Sequence, residues 1–276
     1  MKNWKIKSKI YKILSFLKLY KILFFIQKRI TKRSITNYKE IPFYWDYHFE
    51  YLKENNSKSL IEIGAGKDLA QNIYLCYKFD KKLDQTLIDV SNMLDLDLFN
   101  RANEQISKLI KMDKLPNVKT INDLKKFNIN YIAPMSLKKI AERNLSFDAC
   151  ISSTTLEHLP MRDLRENFSL LKDIIKKDGI ISASIDYSDH YSHTDKNIGS
   201  LNFLQYDEDE WKKYNTPMLF QNRLRHQDYR DFFKFMGYKV SDIKGSVGKY
   251  PKIVSKKFDT KNKETLILWG HFLLKH

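Results

Sequence analysis

The sequence predicts a three-layer α/β fold on a mostly parallel sheet, and three observations predict it. Short β-rich apolar runs alternate with amphipathic stretches between residues 59 and 236. Parallel neighbours need crossover connections, and helices on both faces supply them. The first run ends at a Gly-x-Gly turn that opens a helix. The last two runs are joined by a charged loop and complete the pattern.

Ahead of the sheet, residues 4–30 place Ile6, Ile10, Ile13, Leu14, Leu17 and Tyr20 at steps of three and four among recurring lysines. That spacing predicts a basic amphipathic helix within residues 1–35. The chain carries a net charge of +16, and this segment holds nine lysines and two arginines with no acidic residue before Glu40. Sixteen less eleven leaves +5 for the body. The body has no clustered Lys/Arg on a recognition element, so a non-catalytic nucleic-acid binder using the basic tail is the lesser reading. The longest uncharged stretch, residues 22–27, is far short of the roughly 20 apolar residues of a membrane span, and no secretory core is present. A helix lying on an anionic membrane surface fits the pattern, with packing on the body or on another subunit as the alternative. The two cysteines, Cys76 and Cys150, sit inside apolar runs at no disulfide or metal spacing, which points to a reducing, cytoplasmic compartment.

Residues 36–276 read as one domain. Residues 59–63 predict the first strand and 68–78 a helix; residues 85–90 predict the second strand and 95–111 the next helix. Pro116 and Pro134 break residues 112–146, where 130–133 predict a short strand. Residues 147–152 and 179–185 predict two further strands around an amphipathic helix at 161–176. A helix at 228–236 closes at Gly237, and 238–243 and 264–269 predict the final two strands.

Gly64 and Gly66 stand at the carboxyl end of the first strand, where open α/β sheets bind ligands. Glycine lets the backbone turn sharply and approach a ligand closely. A dinucleotide fingerprint needs a third glycine at position 69, which is Leu69, so pyrophosphate is disfavoured. Asp89 ends the second strand, where a carboxylate can accept hydrogen bonds from both hydroxyls of a ribose.

With these residues the chain resembles the class I, Rossmann-like S-adenosylmethionine-dependent methyltransferases over residues 40–276. The family's acidic-x-Gly-x-Gly motif is similar to Glu62-Ile63-Gly64-Ala65-Gly66, its second acidic position to Asp89, and its later motif to Phe147-Asp148 through Leu156-Glu157-His158-Leu159-Pro160. The resemblance implies a seven-stranded sheet with a reversed last strand and S-adenosylmethionine as cofactor. It implies that Gly64, Ala65 and Gly66 pass under the methionine portion, that Glu62 orients its polar end, that Asp89 holds the ribose, and that Met135 and Ser152 line the same site. The stretch from Asp186 to His193, with Tyr206, Trp211, Tyr214-Asn215 and 221–225, looks like methyltransferases associated with bacterial surface polysaccharides. That likeness makes a sugar of a glycan or glycolipid precursor the preferred acceptor, taken up at the inner face of the membrane by an insertion around 186–227. N- or C-methylation of a small metabolite or lipid is the alternative.

An alcohol acceptor must lose a proton, which calls for a base near the ends of the fourth and fifth strands. His158, Asp189, His190 and His193 are the candidates, histidine being suited by its ordinary pKa near 6.5. No metal is expected, because His190 and His193 lack a third ligand at a convincing spacing. Gln221, Asn222, Arg223 and Arg225 could clamp a phosphate or carboxylate, or form a solvated helix start. Tyr206, Trp211 and Tyr214 could stack on a sugar, or form core.

Overall fold

A computed structural model describes residues 3–17, 19 and 36–276. Helix α1 (Trp4–Phe16) begins at an Asn3 cap; the remainder of the expected basic helix, residues 18 and 20–35, lies outside the described residues. Helix α2 (Phe43–Glu54) was not anticipated, although Trp45, His48, Phe49 and Leu52 trace one buried face at helical spacing.

Strands β1 (Ser59–Ile63), β2 (Asp84–Ile88), β3 (Ile129–Ile132), β4 (Phe147–Ser153) and β5 (Ile175–Asp186) alternate with helices α3 (Ala70–Lys78), α4 (Leu96–Leu109), α5 (Leu137–Ala141) and α6 (Met161–Ile174). After the short α7 (Glu208–Lys212) come α8 (His226–Phe235), β6 (Lys239–Lys244) and β7 (Trp269–Lys275). The sheet order is β3-β2-β1-β4-β5-β7-β6. Six strands run one way, and β7 runs against both its neighbours. This is the expected Rossmann-like sheet with one reversed strand.

Central strands are apolar on both sides because both faces are covered. Leu60 and Ile61 of β1 are neighbours in sequence, yet they enter different cores. One core joins Leu60 and Leu87 to α2, α3 and α4 through Phe49, Ile73 and Phe99. The other joins Ile61 and Ile181 to α6 and α8 through Leu164, Phe168 and Phe233.

The final strand corrects the expectation at 264–269. Lys263–Leu266 form a 3-10 turn, capped by Asn262 accepting the Glu264 amide at 2.9 Å. The strand starts at Trp269, where Gly270 decides the register: a Cβ there would meet the Tyr187 hydroxyl at 2.9 Å and collide with the His226 ring.

The chain leaves β1 outward to β3, then returns to place β4 on the other side of β1. The reversal lies between β1 and β4, and a crevice opens beyond their carboxyl ends at such a switch point.

Candidate active site

Gly64 and Gly66 both adopt φ +81°, the left-handed region that favours glycine. They differ in surroundings. A Cβ on Gly64 would lie 2.5 Å from Thr155 Cγ2, whereas one on Gly66 would meet nothing within 4 Å. The loop is thus pressed onto the β4 exit at its first glycine and open above its second. The Gly64 amide donates to Ile88 O at 3.1 Å, tying the loop to the end of β2. There Asp89 is half-buried. Burial pushes its pKa up, while the amides of Ser91, Val90 and Gly66 pull it back. Gly66 and Asp89 are therefore neighbours, as the resemblance implies.

Leu69 adopts φ +48° at the position of the third glycine, just before α3. Asp68 already occupies this helix start, accepting the Ala70 amide at 3.2 Å and the Tyr38 hydroxyl at 3.0 Å. A carboxylate at a helix N-terminus uses the donors that a phosphate would need.

Glu62 is buried beneath the loop, bonded by Asn72 and, at 3.4 Å, by Gln71. Burial pushes its carboxyl up to about 7 against the Asn72 bond. Ser152 donates to Ile63 O at 3.2 Å, so its hydroxyl fastens β4 to β1. The Met135 amide donates to Asp89 O at 2.8 Å, and its side chain packs in the second core.

Across the crevice, His158 and His190 bring their rings to 4.9 Å, and His193 stacks on His190 at 5.0 Å. His158 Nδ1 lies 2.6 Å from Phe220 O. A carbonyl can only accept, so Nδ1 carries the hydrogen and Nε2 presents its lone pair. Burial, with His190 adding to it, lowers the His158 pKa, which favours the neutral ring.

Asp189 does not join them. Its carboxylate accepts from the Tyr191 amide and from Asn202, both at 2.8 Å, and burial pushes its pKa up to about 6. The carboxylate that faces the histidines is Asp186, with Oδ2 at 3.4 Å from His190 Nε2 and 3.8 Å from His193 Nε2. Burial raises the Asp186 pKa, but its bond to and charge interaction with His190, and its bonds to Ser188, outweigh that and hold it low. Next to His158, Glu157 is 3% exposed, and its carboxyl is approached by the backbone of Glu157 and Asp186 but by no side-chain donor. Burial holds its pKa well above the usual carboxylate range.

The polar group 221–225 faces inward, which corrects both the clamp and the solvated-helix readings. Arg225 donates to the carbonyls of Tyr187 (2.8 Å), Thr265 (2.9 Å) and Ile267 (2.5 Å). Arg223 donates to Tyr206 O at 2.6 Å and Glu208 at 2.9 Å. Gln221 accepts the His190 amide at 3.0 Å, and Asn222 donates to Leu156 O and Leu159 O, both at 3.0 Å. The group therefore positions the two histidine turns from behind.

The aromatics Tyr206, Trp211 and Tyr214 are also turned inward. They close a third core around Trp4 of α1, whose ring lies 4.7 Å from Tyr214 and 5.3 Å from Tyr191. The Trp4 amide donates to Asp195 at 2.9 Å and Ser8 to Tyr214 O at 3.1 Å, so one face of α1 packs on the body. Ile6, Ile10, Ile13 and Leu17 are exposed on the face away from it. No described helix is long and apolar enough to cross a membrane.

Sequence reasoning passed over Asp186, Glu157 and Tyr38, whose hydroxyl meets Asp68 at the helix start. Asp186 ends β5 as Asp89 follows β2, and that parallel was the signal available for it. A recess of about 480 Å³ lined by Arg165, Leu224, Phe232, Phe235 and others includes no residue of the glycine loop or the histidine cluster.

No protein-family model matches the chain, and no curated protein matches it either. Among solved structures, the methyltransferase domain of bacterial CtHen1 is 16% identical, with 84% of this chain and 97% of that chain covered at a TM-score of 0.47. A SAM-dependent methyltransferase from Archaeoglobus fulgidus is 15% identical, with 84% and 94% covered and a TM-score of 0.46. An S-adenosylmethionine-dependent methyltransferase from Clostridium acetobutylicum ATCC 824 is 14% identical, with 93% and 98% covered and a TM-score of 0.47. At these identities and scores the likeness concerns the path of the chain, not its chemistry.

Proposed function

We propose that the chain is an S-adenosylmethionine-dependent O-methyltransferase acting on a hydroxyl of a glycan or glycolipid precursor at a membrane surface. The observation that carries this reading is the junction of Gly66 with Asp89: open space at the Cα of a glycine, beside a half-buried carboxylate. A nucleoside whose ribose hydroxyls donate to Asp89 fits it. The acidic surroundings of Asp68, Asp89 and Glu62 favour a sulfonium over a diphosphate. S-adenosylmethionine bound there supplies an electrophilic methyl group. The chain's own part is to hold the acceptor oxygen in line and take its proton. We assign the taking of that proton to the cluster His158, His190 and His193, braced by Asp186.

Calorimetric titration with S-adenosylhomocysteine tests the cofactor. Binding to the intact protein that is lost in Gly64→Arg and Asp89→Ala supports it, and no binding to the intact protein sinks it. For the acceptor, glycans from cells with and without the protein should differ by the mass of one methylene, about 14 units.

The surface reading is supported by α1, which turns Ile6, Ile10, Ile13 and Leu17 outward beside Lys5, Lys9 and Lys12. Apolar burial and lysine attraction to anionic lipid add together. Ile10→Asp with Ile13→Asp leaves the docked Trp4 untouched and should abolish co-sedimentation with vesicles containing phosphatidylserine. Undiminished co-sedimentation would refute it.

A further inference from the structure

Glu157 presents a physical problem. It sits in the 3-10 turn Leu156–His158 between β4 and α6, is 3% exposed, and its carboxyl is approached by the backbone of Glu157 and Asp186 but by no side-chain donor. Burying a carboxyl with so few partners is costly, and buried charges are normally paired or bound to metals. Two histidines stand close to it. His158 donates through Nδ1 to Phe220 O, which turns the Nε2 lone pair away from that carbonyl. His190 Nε2 is buried and faces the Asp186 carboxylate at 3.4 Å.

We infer that Glu157, His158 and His190 form a binding site for a divalent transition-metal ion. One ligand atom from each lies within 4.8 Å of the other two. Bonds of roughly 2.1 Å place ligands about 3–3.5 Å apart around one ion, so small side-chain rotations close the set. Two imidazoles and one carboxylate, leaving positions open, favour Mn²⁺, Fe²⁺, Co²⁺ or Zn²⁺ over Mg²⁺ or Ca²⁺. The outer contacts are those metal-binding histidines use: a carbonyl fixes the His158 tautomer, the Gln221 side chain holds the His190 backbone, and Asp186 stands behind His190. The histidine and carboxylate turns come from the exits of β4 and β5, beyond the same sheet edge as the glycine loop. An ion there would polarise an acceptor oxygen, and the proton-accepting part would fall to His193, the exposed member of the cluster.

The ion's role rests on the methyl-transfer reading, but its binding does not. The test uses the full chain, stripped with chelator and titrated with Mn²⁺ by electron paramagnetic resonance and with Co²⁺ by visible absorption. One ion per chain is expected, with Co²⁺ bands showing nitrogen ligation. Affinity should fall at least tenfold in Glu157→Gln and His190→Gln, and hold in His193→Gln. Absence of stoichiometric binding to the unmodified protein, or unchanged binding in Glu157→Gln and His190→Gln proteins that melt like the parent, would overturn the site. S-adenosylhomocysteine titration of the same samples separates the two ideas: loss of nucleoside binding with metal binding intact sinks only the methyltransferase reading.

Discussion

The loop after β1 and the segment after β5 occupy equivalent places, each leaving the carboxyl end of a central strand, yet they aim their polar groups in opposite directions. The first keeps the Cα of Gly66 toward open space beside the half-buried Asp89, above a core of Leu60, Ile73 and Leu87. The second, residues 187–225, turns Arg223, Arg225, Asn222 and Asp189 inward to bond backbone groups of its own and of the turns packed against it. The difference follows from support. A six-residue turn between a buried strand and a helix has its backbone held by its neighbours, whereas a long segment with short helices must pair its carbonyls some other way. Guanidinium groups, with five donors in a fork, do that here.

Four measurements would break or sharpen this contrast. The largest effect is expected from Arg225→Met, which orphans the carbonyls of Tyr187, Thr265 and Ile267. Denaturant melts should show a loss of about 4 kcal/mol or more, several times a single net hydrogen bond; a loss below 1 kcal/mol would mean the segment does not depend on it. Next is the pH response of Glu62. Its folded pKa is raised to about 7 from 4.5, so the stability it allows is complete below pH 4.5 and lost as pH rises to 7. Glu62→Gln should therefore gain on the parent by up to about 3 kcal/mol between pH 5 and 8, and parallel stability curves would contradict this. Third, Gly64→Ala meets Thr155 and should cost about 2 kcal/mol or more, while Gly66→Ala pays only for its φ, about 1 kcal/mol. Equal losses on thermal melting would show that the two glycines are not differently placed. Smallest in stability is Asp89→Ala, expected within 0.5 kcal/mol of the parent. It should nevertheless weaken S-adenosylhomocysteine at least tenfold, about 1.4 kcal/mol of binding.

What the sequence made legible was local. Strand, glycine turn and following helix are set by neighbouring residues, and β1 through β6 fall within a few residues of expectation. Position 89 could be placed because it follows a short apolar run by one residue. The rest depends on distant partners. Nothing near Arg225 says that Thr265 and Ile267 offer it carbonyls. Thr265 to Leu268 look like a strand until Asn262 caps the turn and Gly270 fits beneath His226. Asp186 was hidden at the end of a long apolar run whose neighbour His190 lies one loop turn away. The aromatic group of 206–214 could not reveal that its partner is Trp4, at the opposite end of the chain.

The seating of Trp4 gives the molecule a fixed ruler. Lys7 reaches Thr194 at 2.9 Å and the Trp4 amide reaches Asp195, residues that directly follow His190 and His193. Whatever flat boundary the outer stripe of α1 rests upon, the imidazoles stand at one set height from it. For the proposed surface-bound acceptor, that height would set which hydroxyls the imidazoles reach.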